Sequence, residues 1–297
     1  WASTRARSRG EFAQSQRGGA APAVRRSRRG RAAAWAVAVV LLGPALLPHV
    51  GIVLLSVSKL WSLSPLPTVY TAANYDEILF RAPHFVWNTL RYALLAAGID
   101  VALGAVIGWL LLRGRARGRQ WLDLIATMPL AIPGVVIAVG YLRVFHGWSV
   151  PGLGEPLTST WLVLVIVYAM RRLPYTVRGA YAALQQLPVD LEEAGQNLGA
   201  NRARTFVKIT LPLMARGLLA GGLLAFISSA VDLSATILLV PRVELGPLSY
   251  GIYLYMQSAV GRGPGAALGV VAILLVAAGT WAATALTRRS GGALFRT

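Results

Sequence analysis

Glu192-Glu193-Ala194-Gly195-Gln196-Asn197-Leu198-Gly199, closed by Ile209-Thr210-Leu211-Pro212, is a polar, glycine-punctured segment between two long apolar runs. Pro188, just before it, suits a first helical turn, where its missing N–H costs nothing. Asp190, Glu192 and Glu193 crowd the next turn, where carboxylates favour the positive end of a helix. Gly199 can adopt the left-handed conformation that ends a helix. Asn201 is a good N-cap for a second short helix, Arg202 to about Lys208. Pro212 is expected to break the chain before the next apolar run. The pattern predicts helix, tight turn, helix: a compact polar knob over about 188–212. An ordinary capped loop would carry the same signals.

Composition places that knob at a membrane. Hydrophobic residues make up 56% of the 297 residues and charged residues only 13%, about half the share usual in soluble domains. Cysteine is absent, which excludes a disulfide framework or a cysteine metal site. His49, His84 and His146 lie far apart, and none has metal-ligand spacing.

A span needs about 20 mostly apolar residues. Six candidates appear: 33–57, 88–112, 122–145 (interrupted by Pro129 and Pro133), 157–170, 217–240 and 266–286. The fourth is short unless the segment from Pro174 to Leu187 continues it. The expected class is an all-α polytopic membrane protein with about six transmembrane helices. Residues 33–287 are then a transmembrane domain, 1–32 a disordered basic arm, and 288–297 a tail.

Basic residues set the orientation. Most of the 29 Lys and Arg fall in four places: the arm, the run Arg113 to Arg119, the stretch Arg171 to Arg216, and the tail. The exceptions are Lys59, Arg81, Arg91, Arg143, Arg242 and Arg262. Both termini and the knob are therefore expected on the cytoplasmic side. A net charge of +18 could suggest a nucleic-acid binder, but the charge follows the loops as membrane topology requires, so no nucleic-acid partner is expected. The arm, rich in Arg, Ser, Gly and Ala, could touch anionic lipid heads. It lacks the apolar core and cleavage site of a signal peptide.

Enzyme chemistry finds no site. A P-loop needs Gly-x4-Gly-Lys-Ser/Thr. The two lysines, Lys59 and Lys208, are followed by Leu60 and Ile209. Any ATP hydrolysis must come from another chain. Ionisable groups inside a bilayer are functional candidates because burial is costly. Asp100 lies in the middle of the second span. Asp232 lies in the fifth, among Ser228, Ser229, Ser234 and Thr236. Each could line a translocation path or clamp helices together. Pro129 and Pro133 mark a break of the kind that lines cavities in membranes. Gly104, Gly108, Gly221 and Gly222 suit close helix packing.

The spacing Glu-Ala-Gly-x3-Gly-x9-Ile-x-Leu-Pro resembles the loop by which permease subunits of binding-protein-dependent ABC importers grip their ATPase. Gly195 stands where that family usually has alanine, and should loosen the helix. Four further segments carry the likeness: Asn88-Thr89-Leu90; Met128 to Val136; Arg172-Leu173-Pro174-Tyr175-Thr176-Val177-Arg178; and Asp232-Leu233-Ser234-Ala235-Thr236. It reaches from about Ala33 to Leu286 and is most similar to ferric-iron permeases. Aminoethylphosphonate, polyamine and thiamine permeases have similar frames.

The resemblance implies a type I importer permease fold and ATPase coupling through Glu192, Glu193, Ala194, Gly195, Gly199, Asn201, Ile209, Leu211 and Pro212. It implies a path involving Asp232, Ser234, Asp100, Pro129 and Pro133. No cofactor is expected in this chain, ATP and Mg belonging to the partner. The implied partners are two ABC ATPase subunits, a second permease unit, an extracytoplasmic substrate-binding protein and the lipid bilayer of a bacterial cytoplasmic (inner) membrane. Iron permeases are often two fused units, and the arm would suit a linker between halves. A rival reading is a scaffold or receptor-type membrane protein without transport.

Overall fold

A computed structural model describes residues 28–61, 64–114, 117–149, 152, 154–257 and 261–291. The chain divides into two compact units, Trp1–His49 and Val50–Thr297. The expected disordered arm lies outside the described residues up to position 27. Helix α1, Arg28–Ser56, begins in the first unit and ends in the second.

In the second unit, Asn74 holds the end of α1, its Nδ2 donating to Ser56 O and Ser58 O at 2.9 Å each. Asn74 belongs to the short α2, Ala73–Asp76, which runs into a π turn, Glu77–Arg81. Helix α3, His84–Arg113, is the first long element of the bundle. A broken pair follows: α4, Arg119–Thr127, extended by a 3-10 turn, Met128–Leu130, then α5, Gly134–Val144. The two arms meet at 107°. Pro133 sits at the corner just before α5, where it removes a helical donor without loss inside either helix.

Helix α6, Leu162–Gln185, is the centre of the bundle. Val163, Leu164, Val167 and Tyr168 are buried along its first half, Val177, Ala180 and Leu184 along its second. Pro174 lies inside α6 and is itself buried, so the short fourth span is completed through the proline. The knob follows as α7, Asp190–Asn197, and α8, Arg202–Thr205. A π turn, Phe206–Thr210, then leads directly into α9, Leu211–Ala230.

Pro212 was expected to break the chain here and does not. It occupies the first turn of α9, and the wider π turn before it spares the carbonyl that its ring would otherwise strike. Residues 202–230 form one continuous apolar helix. The fifth span therefore lies within this helix and ends at Ala230, not at 240. The chain leaves the helix after Ala230 and forms α10, Thr236–Leu239, a 3-10 turn, Val243–Leu245, and α11, Leu248–Met256. Helix α12, Arg262–Gly291, closes the bundle.

Helices α3, α6 and α9 pack mutually, and α12 packs on α9 and α11. Glycine permits the closest contacts. A Cβ on Gly104 would overlap Thr176 Oγ1, and one on Gly108 would lie 2.6 Å from Ala180 Cβ. A Cβ on Gly221 would lie 2.6 Å from Tyr175 O. Asn88 and Thr89 fasten the far loop. Asn88 Nδ2 donates to Glu244 O and Gly246 O, while Thr89 Oγ1 accepts from Leu248 N at 2.6 Å.

Among the described residues four helices are long and apolar enough to cross a membrane, five if the broken pair counts as one span. The sixth expected span is α6. Its 24 residues reach about 36 Å at 1.5 Å per residue, but Arg171, Arg172 and Arg178 lower its apolar character. Arg171 and Arg172 are tolerable there because they pair with Asp232, while Arg178 is exposed and pairs with Asp123.

Candidate functional site: a polar knob and a buried ion-pair cluster

The knob is built from its caps. Gly199 takes a φ of +87°. Gly199 N donates to Gln196 O at 2.9 Å and Ala200 N to Gly195 O at 3.1 Å. This paired closure ends α7 and satisfies its last carbonyls. Asn201 then caps α8, its Oδ1 accepting from Arg204 N at 2.8 Å. Gly195 does not loosen the helix, which continues to Asn197. It is buried, and a Cβ there would stand 2.5 Å from Ile209 Cδ1. The missing methyl lets α7 lie tightly against the returning strand of chain.

The two adjacent glutamates differ in role. Glu193 and Ala194 face outward with Leu198, which is 90% exposed. Glu192 turns inward. Its Oε1 accepts from Arg113 Nε at 3.3 Å and from Thr210 Oγ1 at 3.2 Å. Arg113 Nη2 also donates to Leu187 O at 2.8 Å. The carboxylate thus ties the knob to the end of α3 and to the turn before α9, and Arg113 extends the tie to the chain just after α6. Leu211 is half-buried and Pro212 exposed at the knob's base. A cleft of about 290 Å³ opens between Trp109, Arg113, Glu192, Glu193, Arg202 and Phe206. The sequence reading placed Glu192 with the docking residues and missed Arg113 and Thr210. A charged residue ending a long apolar run, opposite a buried glutamate, is visible only once the fold brings them together.

The second feature lies about 20 Å up α6, thirteen residues from its end at Gln185. Asp232 is buried, with a side chain 1% exposed. Its Oδ2 accepts from Arg171 Nη1 and from Arg172 Nη2, the latter at 2.6 Å. Its Oδ1 accepts from Ser234 Oγ at 3.2 Å and Ala235 N at 3.1 Å. Arg172 Nη2 also donates to Ser228 O at 3.1 Å, and Arg171 Nη1 to Ser234 Oγ at 3.2 Å. Asp232 closes the break after α9 and pins it to α6. The start of α5 completes the cluster: a Cβ on Gly134 would overlap Ser234 Oγ and come within 2.8 Å of Arg171 Nη1.

Pro133, Asp232 and Ser234 are therefore brought together, and Arg171 joins them. Pro129 lies on the other arm of the break. Asp100 is fully buried on α3, and neither carboxylate oxygen has a hydrogen-bond partner among the described residues. Helices α3 and α6 keep Gly104 against Thr176 and Gly108 against Ala180. The same register one turn back sets Asp100 opposite Arg172. No group of His, Asp or Glu among the described residues could hold a metal ion.

Known proteins share this frame. The family described as "Binding-protein-dependent transport system inner membrane component" matches residues 100–291. The molybdenum transport system permease protein ModB of Escherichia coli K12 is 32% identical over 197 residues, covering 63% of this chain and 85% of ModB. The sulfate transport system permease protein CysT of Salmonella typhimurium is 31% identical over 160 residues, 52% of this chain and 58% of CysT. The putative ferric transport system permease protein FbpB 1 of Haemophilus influenzae is 33% identical over 155 residues, 52% of this chain but 23% of that longer protein. Among solved structures, a bacterial ABC transporter importing the acidic polysaccharide alginate superposes with a TM-score of 0.59 at 20% identity, over 84% of this chain and 94% of its own. The inward-facing MetNI methionine ABC transporter gives 0.55 at 18%, over 72% and 98%.

Proposed function

The chain belongs to the family of binding-protein-dependent transport system inner membrane components, and from that premise we propose that it forms the translocation path of an ABC importer and is driven by a separate ATPase. It is a multi-pass transport subunit of the type I permease fold, and the knob Asp190–Leu211 is the element its ATPase grips. Two permease units enclose the path, an extracytoplasmic binding protein delivers substrate, and both termini face the cytoplasm. The cargo is an inorganic ion: ferric iron, as the sequence resemblance favours, or an oxyanion of the kind carried by the molybdate and sulfate relatives.

The observation that carries this reading is the way the knob is mounted. Its outward face offers Glu193 and Leu198, while Glu192 on the opposite face locks it to Arg113 and Thr210, and Arg113 in turn holds Leu187 O. Helix α6 enters the knob and the continuous helix 202–230 leaves it. The connector 186–189 is held by Arg113 at Leu187 O, so a pull on the knob is passed to both helices, the mechanical need of alternating access.

The test is reconstitution with the ATPase. Glu193→Lys reverses an exposed charge without touching the lock. It should abolish co-purification of the ATPase and transport, while the permease still reaches the membrane. Full substrate-stimulated hydrolysis by this variant would overturn the coupling role.

A further inference from the structure

We propose that Arg171 and Arg172 form an oxyanion-recognition point in the translocation path, and that Asp232 is a built-in competitor which an incoming anion displaces. This rests on the permease reading and narrows its cargo to an oxyanion. Two guanidinium groups converge on one carboxylate oxygen of Asp232. Planar guanidinium forks are the side chains best suited to paired hydrogen bonds with oxyanions. Asp232 leaves donor capacity unused, since Arg171 Nε and Arg172 Nε both lack an acceptor. Asp100 faces Arg172 from α3 but bonds to neither arginine.

The cluster is reachable. Ser234, which bonds both Arg171 and Asp232, is exposed on the surface of the unit. Pro133 at the corner is exposed beside it, while Gly134 packs closely against Ser234 and Arg171 from the inner side. The cluster also lies on the transmission line. Arg171 and Arg172 belong to α6, which runs into the knob, and Asp232 follows the helix that runs out of it. Sliding of α6 against α9 would pull the arginines from Asp232 and offer them to a passing anion. A cation at the same point would meet two guanidinium groups against the single carboxylate of Asp232, a net repulsion that discriminates against it.

The experiment uses the full importer, with its ATPase and binding protein, reconstituted in vesicles. Uptake of molybdate and of sulfate per ATP hydrolysed is measured. Arg171→Gln should lower that ratio for the transported anion at least tenfold, and Arg171→Lys should recover part of it. Ser234→Asp, at an exposed position beside Arg171, adds a second competitor and should also lower the ratio tenfold, its melting temperature being read alongside. An unchanged ratio in Ser234→Asp, or in Arg171→Gln with only its melting temperature lowered, makes the cluster a structural clamp and overturns the proposal. Wild-type uptake of ferric iron and of neither anion overturns it too, while leaving the coupling role of the knob intact.

Discussion

Arg113, the last residue of α3, donates from Nε to Glu192 Oε1 of the knob at 3.3 Å, and both side chains are largely buried. The same guanidinium holds Leu187 O, and the same carboxylate oxygen accepts from Thr210. The Arg113–Glu192 pair is thus a hub joining α3, the chain after α6 and the turn before α9, although the neighbouring Glu193 is exposed.

Breaking the hub should cost stability before it costs docking. Removing one partner of a buried ion pair leaves an uncompensated charge, a loss of about 3 kcal/mol. Glu192→Ala should lower the melting temperature of the purified permease, and Arg113→Ala should do nearly the same. The double variant should fall well short of the sum, because the two share one interaction. Additive losses in a double-mutant cycle would show that the two residues act separately.

Gly199 governs where the second half of the knob points. At a φ of +87° a β-branched residue is a strained outlier, at about 1–3 kcal/mol. Open space surrounds the position, so the effect is on the backbone and not on packing. Gly199→Val should redirect α8 and uncouple ATP hydrolysis from transport while the protein still inserts. Gly199→Asn, which tolerates this conformation better, should retain most coupling in the same vesicle assay.

Much of this was legible in the sequence, and the misses have physical causes. The caps at Gly199 and Asn201 were readable because each depends on one residue's own chemistry. Continuity through Pro174 was left open, and continuity through Pro212 was missed. A proline's effect depends on the carbonyl four residues back, and at Pro212 a π turn moves that carbonyl aside. The end of the fifth span was placed too late because Ile237, Leu238 and Leu239 are as apolar as a span. Asp232 breaks the helix there by capping Ala235. The arginine pair was counted only as topological charge, since nothing local announces that Arg171 and Arg172 meet a carboxylate sixty residues on.

Orientation can be checked directly. Ser149, Glu244 and Asn201 are all exposed. Single cysteines at Ser149 and Glu244 should react with a membrane-impermeant reagent added to sealed cells. A cysteine at Asn201 should react only after the cells are opened. Labelling of Asn201 from outside would invert the topology that the basic residues indicate.

The α6–α9 contact should tolerate no added methyl at Gly221. A Cβ there would meet the backbone carbonyl of Tyr175 at 2.6 Å and Thr176 Cα at 2.9 Å, and backbone cannot swing aside as a side-chain tip can. Gly221→Ala should destabilise by about 1–3 kcal/mol, the usual cost of overpacking, and be read as a lower melting temperature in detergent. Gly98 has open space around it, so Gly98→Ala is the control and should melt like wild type or higher.

Asp100 and Asp232 are both buried carboxylates within the bundle, and their surroundings set them apart. Asp232 accepts from two arginines, a hydroxyl and a backbone N–H. Asp100 has no partner for either oxygen among the described residues. A buried carboxylate is held by its bonds and is costly without them. Asp232→Ala should therefore cost about 3–5 kcal/mol, because it strands two guanidinium groups away from water. Asp100→Asn alters a carboxyl that makes no hydrogen bond among the described residues. It should leave the melting temperature unchanged or raise it. Thermal unfolding of the two variants in the same detergent checks the contrast. Equal losses at the two sites would mean that Arg172 is shared between the carboxylates, with Asp100 holding it whenever Asp232 lets go.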